Sequence, residues 1–225
     1  KYIGKIILHP EKEELIRSEH ILNRIYNLLK DSGISFRVID LPYSGALLYE
    51  LGLYEDFKKY ANYVYEKLKK ENIKKIITVD PHTNYIFGKI YPEVIPNFNL
   101  EVYNYLDLIN KKRIKIAIDN YTIHDSCIYA RYLNKYETIR SILKNAKEHP
   151  FFTGKTTSFC CGGPIESVKP KLANDVATIR LSQLSSLSNN IVVQCPICYV
   201  NLKSALSSVK KEINIYDIAE ILEYA

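Results

Sequence analysis

The chain has 225 residues, 25% of them charged and 47% hydrophobic, with a formal net charge of +6. That length holds one domain with an ample core or two closely packed halves, and the composition excludes a disordered or fibrous chain. The lysines are dispersed along helix-like segments such as residues 55–75 and are matched there by Glu and Asp, so the excess charge reads as a solvated face and not as a nucleic-acid stripe.

A β-branched run at residues 4–9 predicts a first strand. It is too short for a signal sequence, and no window approaches the ~18 apolar residues of a membrane span, so the expectation is a cytoplasmic protein or one peripheral to a membrane complex. Leu15, Leu22, Ile25 and Leu29 then recur at helical spacing, and Gly33 stops that helix. Residues 35–41 read as a strand, helical periodicity runs over 46–70, residues 74–80 read as the next strand, and Pro81 opens a short helix. Residues 100–111 end this half.

From residue 113 the order begins again. A strand at 113–119 leads to a helix over 134–147, a strand-like stretch at 156–160, and a helix from Pro164 whose row Ile165, Val168, Leu172, Val176 and Ile179 is expected to face the core. A strand at 190–194, a helix from Pro196 and the segment 213–222 complete it. Strands alternating with helices predict an α/β fold of two tandem, pseudo-repeated Rossmann-like units with mostly parallel sheets, residues 1–112 and 113–225.

The repeat goes beyond element order. Tyr43 and Ser44 stand before a glycine as Cys160 and Cys161 do, and Asp80 and Thr83 flank a proline-opened turn as Cys195 and Cys198 do. All five cysteines fall in the second copy. Their pattern is C-x32-C-C-x33-C-x2-C, from Cys127 through Cys160 and Cys161 to Cys195 and Cys198. In a reducing compartment such thiols are metal ligands or redox groups more often than bridges. Adjacent cysteines cannot pair comfortably with each other. A C-x-x-C at a strand end and helix start aims both thiols at one point, and loops at the carboxyl ends of parallel strands gather together, so the three cysteine segments are expected to converge. Gly162 and Gly163 would let backbone approach a bulky cofactor. Read from the residues alone, the site suits an iron–sulfur centre, a structural zinc in a protein that mediates assembly, or metal-free thiol–disulfide chemistry at Cys195 and Cys198.

With "HDSC", "CCGG" and "CPIC" in view, the sequence resembles the cysteine-rich CCG domain of the B-type component of heterodisulfide reductase. That domain also occurs in iron–sulfur components of glycolate oxidase, lactate utilisation, anaerobic glycerol-3-phosphate dehydrogenase and one succinate dehydrogenase type. The resemblance implies a non-cubane 4Fe-4S cluster held by Cys127, Cys160, Cys161, Cys195 and Cys198, in an oxidoreductase component that works within a complex. It further implies partners such as a ferredoxin-like or flavin protein and a disulfide or dehydrogenase-linked substrate. The relatives carry two such domains, whereas Tyr43, Ser44, Asp80 and Thr83 are poor ligands for iron–sulfur chemistry, so the first half is expected to have lost its cofactor.

Other residues bear on the chemistry. His124 could donate to a cluster sulfur, deliver a proton to a leaving thiolate, or simply fix its loop. His82 with Asp80 and His9 could form a hard-metal site in the first half. Arg131 and Lys155 could offset an anionic cluster or receive a carboxylate substrate.

Overall fold

Short β-branched runs and proline-opened helices alternate through the computed structural model, which describes residues 12–148 and 153–224. The strand expected at residues 4–9, and His9 with it, lie outside the described residues. The described strands are β1 (Lys75–Thr78), β2 (Glu101–Asn104), β3 (Ile114–Ile116), β4 (Tyr121–His124), β5 (Asn190–Val193), β6 (Asn214–Asp217) and β7 (Leu222–Tyr224). β1 and β2 pair in parallel, β4, β5 and β6 form a parallel sheet in that order, and β3 pairs antiparallel with β7. Helices flank these parallel strands, and the fold is α/β.

Some local backbone features recur in the two stretches compared above. Gly45 (φ 84°) and Gly162 (φ 87°) both take the left-handed conformation just before a helical turn. After β1 the chain caps the helix Pro81–Tyr85 with Asp80; after β5 it caps the helix Pro196–Ser204 with Cys195. β2 and β6 each run into a four-residue helix closed by a capping box, on Asn104 and Asp217.

Several expected elements take other forms. Residues 35–41 join no ladder among the described residues and instead line, with the helix Lys12–Asp31 and one edge of β1, a cavity of about 940 Å³. The helix expected over 46–70 divides into Ala46–Glu50 and Tyr54–Lys70. Gly52 (φ 75°) makes the break, its N–H reaching the Tyr49 carbonyl and the Leu53 N–H the Leu48 carbonyl in a Schellman closure. The helix over 134–147 shortens to Tyr136–Ile142, because Asn134 sits at φ 53° after a π-turn, Ile128–Tyr132. Residues 156–160 contain no strand; the 3-10 turn Lys155–Thr157 is held by the Lys155 N–H on Asp125 Oδ2 at 2.8 Å.

The largest correction concerns the helix expected from Pro164. A single 3-10 turn, Gly163–Ile165, occupies that position, and the helix proper is Pro170–Ser185. Its buried stripe is Ala173, Ala177, Arg180, Leu181 and Leu184, whereas Ile165, Val168, Leu172 and Ile179 are exposed, Ile179 at 61%. Close packing explains the inversion. A Cβ on Gly162 would lie 2.8 Å from the Ala173 carbonyl oxygen, so small residues must face that turn and the branched ones are left outside.

The first-half core gathers Phe57, Ala61, Val64, Leu68, Ile86 and Tyr91; the second-half core gathers Ala177, Leu181, Ile191, Val193 and Leu202 with three of the cysteines. Between them, Ile25 and Leu29 pack with Leu106, Ile123, Tyr129, Val192 and Ile218. The helix Lys12–Asp31 belongs to the first half in sequence yet binds the second. Arg24 donates to the carbonyls of Ala219 and Leu222, both at 2.8 Å, and Arg17 pairs with Glu220 and stacks on Tyr199 at 3.4 Å.

Candidate metal centre

β4 and β5 end side by side, with His124 opposite Val193, so the loops that leave them share one edge of the sheet. The β4 loop carries Asp125, Ser126 and Cys127; the β5 loop carries Gln194 and Cys195, and the Ser126 N–H reaches Gln194 Oε1 at 3.5 Å. Asp125 anchors the first loop. It takes both arms of Arg140, at 2.9 and 2.8 Å, and the Lys155 N–H.

All five cysteines converge. Cys127 and Cys160 bring their sulfurs to 4.0 Å, Cys160 adjoins Cys161, Cys161 meets Cys198, and Cys198 meets Cys195. Four are buried and Cys160 is half-buried, next to a cleft of about 390 Å³ bordered by Arg131, Phe159, Val176 and Ile179. Each glycine after the pair has a defined task. The Gly162 N–H points at Cys160 Sγ (3.3 Å) and the Gly163 N–H at Cys161 Sγ (3.4 Å), two donors that favour thiolate. A Cβ on Gly163 would fall 2.4 Å from Ile197 Cγ2, within the C-x-x-C turn itself.

These contacts split the thiols electrically. Bonds from Cys127 and Cys161, aided by the Gly162 N–H, push Cys160 far down. Burial opposes ionisation of Cys195, but its neighbours Cys198 and His82 outweigh it and bring that thiol to about 6. Cys161 is pushed up to about 12 by Cys160, and Cys127 and Cys198 are raised by their sulfur neighbours and by burial. Without a cation the nest thus keeps protons on three sulfurs; a metal group would displace them.

His124 is fully buried at the end of β4, with an imidazole nitrogen within 4.8 Å of Cys161 and Cys198 Sγ. Burial, then the Arg180 charge, lower it to about 3, so the ring is neutral. Its Nδ1 accepts from Arg180 Nε at 3.1 Å, which leaves the ring proton on Nε2. A metal-ligating histidine normally donates its second nitrogen to an acceptor, the reverse of this arrangement. His124 therefore offers a proton beside the sulfurs and not the lone pair that a sixth ligand would need.

Arg180, which the sequence pattern did not single out, is 2% exposed and binds His124, the Thr153 carbonyl (2.8 Å) and Gln183 (3.1 Å), with no carboxylate in direct contact among the described residues. Its place on the buried stripe with Ala173, Ala177 and Leu184 is the signal that could have found it. Arg131 borders the cleft, while Lys155 is exposed and its ammonium lies 4.0 Å from Glu148. The hard-metal site expected around Asp80 and His82 does not form from those two residues. Asp80 caps its own helix through the Thr83 N–H at 2.9 Å, and His82 turns to Glu50.

Whether the nest fits an iron–sulfur group can be judged from its unpaired atoms. Among the described residues, five buried side-chain polar atoms lack a hydrogen-bond partner: His124 Nε2, Ser126 Oγ, Tyr129 OH, Ser158 Oγ and Gln194 Nε2. Each belongs to a residue within three positions of a site cysteine, and each can donate. A cluster that adds sulfide acceptors to five thiolates suits that surplus of donors.

Residues 121–203 match the family model of the CCG cysteine-rich domain. The cysteine segment is thus similar to the CCG domain. Relatives beyond the CCG segment extend the likeness along the chain. A probable iron-sulfur-binding oxidoreductase, FadF, of Bacillus subtilis is 27% identical over 92% of this chain and 31% of its own length. The EtfAB:quinone oxidoreductase of Syntrophomonas wolfei is 27% identical over 92% of this chain and 32% of its own. The D-type component of the dihydromethanophenazine:CoB–CoM heterodisulfide reductase of Methanosarcina acetivorans is 29% identical over 53% of this chain and 31% of its own. The chain thus spans about a third of the length of these relatives. No solved structure matches. No described helix is long and apolar enough to cross a membrane.

Proposed function

We propose that this chain is the iron–sulfur electron-transfer unit of an oxidoreductase complex of the heterodisulfide-reductase type. In this reading residues 113–225 form the CCG half and hold one non-cubane 4Fe-4S cluster on Cys127, Cys160, Cys161, Cys195 and Cys198, while residues 1–112 are a related half without a cofactor. The observation that carries it is the contiguous nest of five sulfurs with, close by in sequence, five buried donors that find no partner among the described residues. A single structural zinc would use four sulfurs and leave the fifth, and most of those donors, idle.

When bound, the cluster supplies one-electron chemistry to a partner or to a disulfide. The residues around it do the rest. Arg180 offsets negative charge from within the protein, and the N–H groups of Gly162 and Gly163 stabilise sulfur charge. His124 holds a proton on Nε2 beside Cys161 and Cys198, where a thiolate product could take it. The half-buried Cys160 and the cleft beside Phe159 and Ile179 make the approach for a disulfide or a redox partner, whether ferredoxin-like or flavin-bearing.

The test is reversible reduction. Protein purified without oxygen should bleach with dithionite and regain its spectrum on addition of a small disulfide or a quinone, and the faster oxidant identifies the side of the relatives on which this chain works. A coloured protein that neither reagent reoxidises, or a colourless one, would overturn the reading.

A further inference from the structure

Lysines that are dispersed along the sequence are gathered in space. Three connections meet at the amino ends of β1 and β2: residues 30–37 after the helix Lys12–Asp31, residues 66–75 at the end of the helix Tyr54–Lys70, and residues 111–115 leading into β3. Hydrogen bonds tie them together, from Arg37 to the Glu71 carbonyl at 3.2 Å, from the Asn110 N–H to Ser32 Oγ at 2.9 Å, and from the Glu101 N–H to the Lys74 carbonyl at 2.9 Å. With Glu101 and Glu223, which stand opposite Lys75 and Lys115, this end holds eleven of the chain's 31 Lys and Arg but only five of its 25 Asp and Glu. The rest of the chain is balanced at twenty of each, so the whole net charge of +6 belongs to this end.

The kind of cation matters as much as the number. Lys30, Lys67, Lys70, Lys74, Lys111 and Lys112 have no carboxylate partner among the described residues, and all but Lys111 are exposed. Both arginines are already engaged, Arg37 with Glu71 at 3.3 Å and Arg113 over the Tyr224 ring at 4.5 Å. Tyr26 and Tyr63, 45% and 51% exposed, each stand one helical turn before a lysine of this end, and Lys67 Nζ lies 5.2 Å from the centre of the Tyr63 ring.

We infer that this basic end binds the surface of an anionic lipid bilayer, with the metal nest turned away from the membrane. Flexible lysines act as point charges and need no fixed counterpart, whereas sites for nucleic acid or for a carboxylate-bearing partner favour the planar fork of arginine. Anionic headgroups diffuse laterally and collect beneath such a face, where the attractions of clustered lysines add up. Tyrosines at its border, with an apolar ring and a polar tip, suit the headgroup level. No described helix is long and apolar enough to cross the bilayer, so the contact is with its surface. At its carboxyl end β1 leads to the helix Pro81–Tyr85, whose Tyr85 stacks on Tyr132 (5.3 Å between centroids) at the end of the π-turn after Cys127, so the basic end and the nest lie at opposite ends of β1. A chain bound this way keeps Cys160 open to a partner on the far side. The inference does not depend on which metal group the nest holds.

Flotation with vesicles tests this at about 0.15 M salt, where weak long-range attraction is screened. Wild type should float with vesicles of about 30% phosphatidylglycerol in phosphatidylcholine, and stay behind with phosphatidylcholine alone. The combined variant Lys70→Glu, Lys74→Glu, Lys111→Glu and Lys112→Glu should bind at least about tenfold more weakly, with its metal content unchanged. A control of the same net charge, Lys59→Glu, Lys89→Glu, Lys169→Glu and Lys171→Glu, reverses four exposed lysines outside these connections and should lose far less. Wild type that does not float, or an equal or greater loss in the control, would overturn the inference. So would binding of this end to DNA or polyglutamate with none to vesicles. Should the first variant not fold by circular dichroism, the pairs Lys70→Glu with Lys74→Glu and Lys111→Glu with Lys112→Glu decide, and wild-type flotation of both would overturn it. A colourless wild type refutes the function proposed above yet leaves flotation to decide this question.

Discussion

At Asp80 and at Cys195 the chain makes the same turn. A parallel strand ends, a cap residue takes up extended backbone and proline opens a helix; the Thr83 N–H bonds the Asp80 side chain, whereas the Cys195 side chain receives no capping hydrogen bond. Beside the first turn Ser44 meets Thr83 at 3.5 Å, and beside the second Cys161 meets Cys198. In the first half these hard groups close on one another and need nothing more. In the second the same positions carry soft sulfur, and the surrounding donors stay unpaired. One backbone device thus yields a self-satisfied turn or, in the function proposed above, a metal-binding one, according to the polarisability of a few side chains.

Breaking the comparison at its ligands should give the largest effect. Cys198→Ser is expected to abolish most of the bound iron, whereas Thr83→Ser, at the equivalent place, should leave iron content unchanged; metal analysis of the two side by side checks this. Replacing the buried cation comes next. Arg180→Met strands the Thr153 carbonyl and removes the charge that offsets the nest, and should cost about 1–3 kcal/mol in denaturant unfolding together with a lower midpoint potential. Gly163→Ala is expected to destabilise by about 1–3 kcal/mol, because the new methyl would overlap Ile197, and to loosen iron even where the fold survives.

The smallest effect sharpens the comparison at the capping boxes. Asp217, buried as the cap of the last four-residue helix, is pushed up to about 7 by burial, where the first half has the neutral Asn104. A carboxyl whose folded-state pKa is raised contributes stability below the unfolded value, near 4, and loses it as pH climbs through about 7. Asp217→Asn should therefore flatten the decline of stability between those pH values and gain on the order of 1 kcal/mol at pH 8, measured by denaturant midpoint. Asn104→Asp should introduce the same decline in the first half.

The sequence carried some of this plainly and some not at all. The cysteines were legible because their spacing at strand ends has few other uses, and the α/β alternation because β-branched runs and proline-opened helices are local signals. The face of the helix Pro170–Ser185 was misread because both of its stripes are largely apolar, and the choice between them is made by Gly162, against which the Ala173 backbone packs too closely for a Cβ. Arg180 lay hidden for the same reason. How the two halves dock, through Arg24, Arg17 and Tyr85, was not legible either, since no periodicity reveals it.

Metal and acid-labile sulfide content, with an electronic spectrum, on protein purified without oxygen tests the central claim most directly. About four iron and four sulfide per chain, in a brown protein, is the expected result. One zinc and no sulfide would contradict it, and would make the nest an assembly site in a chain that keeps the architecture of its relatives without their chemistry.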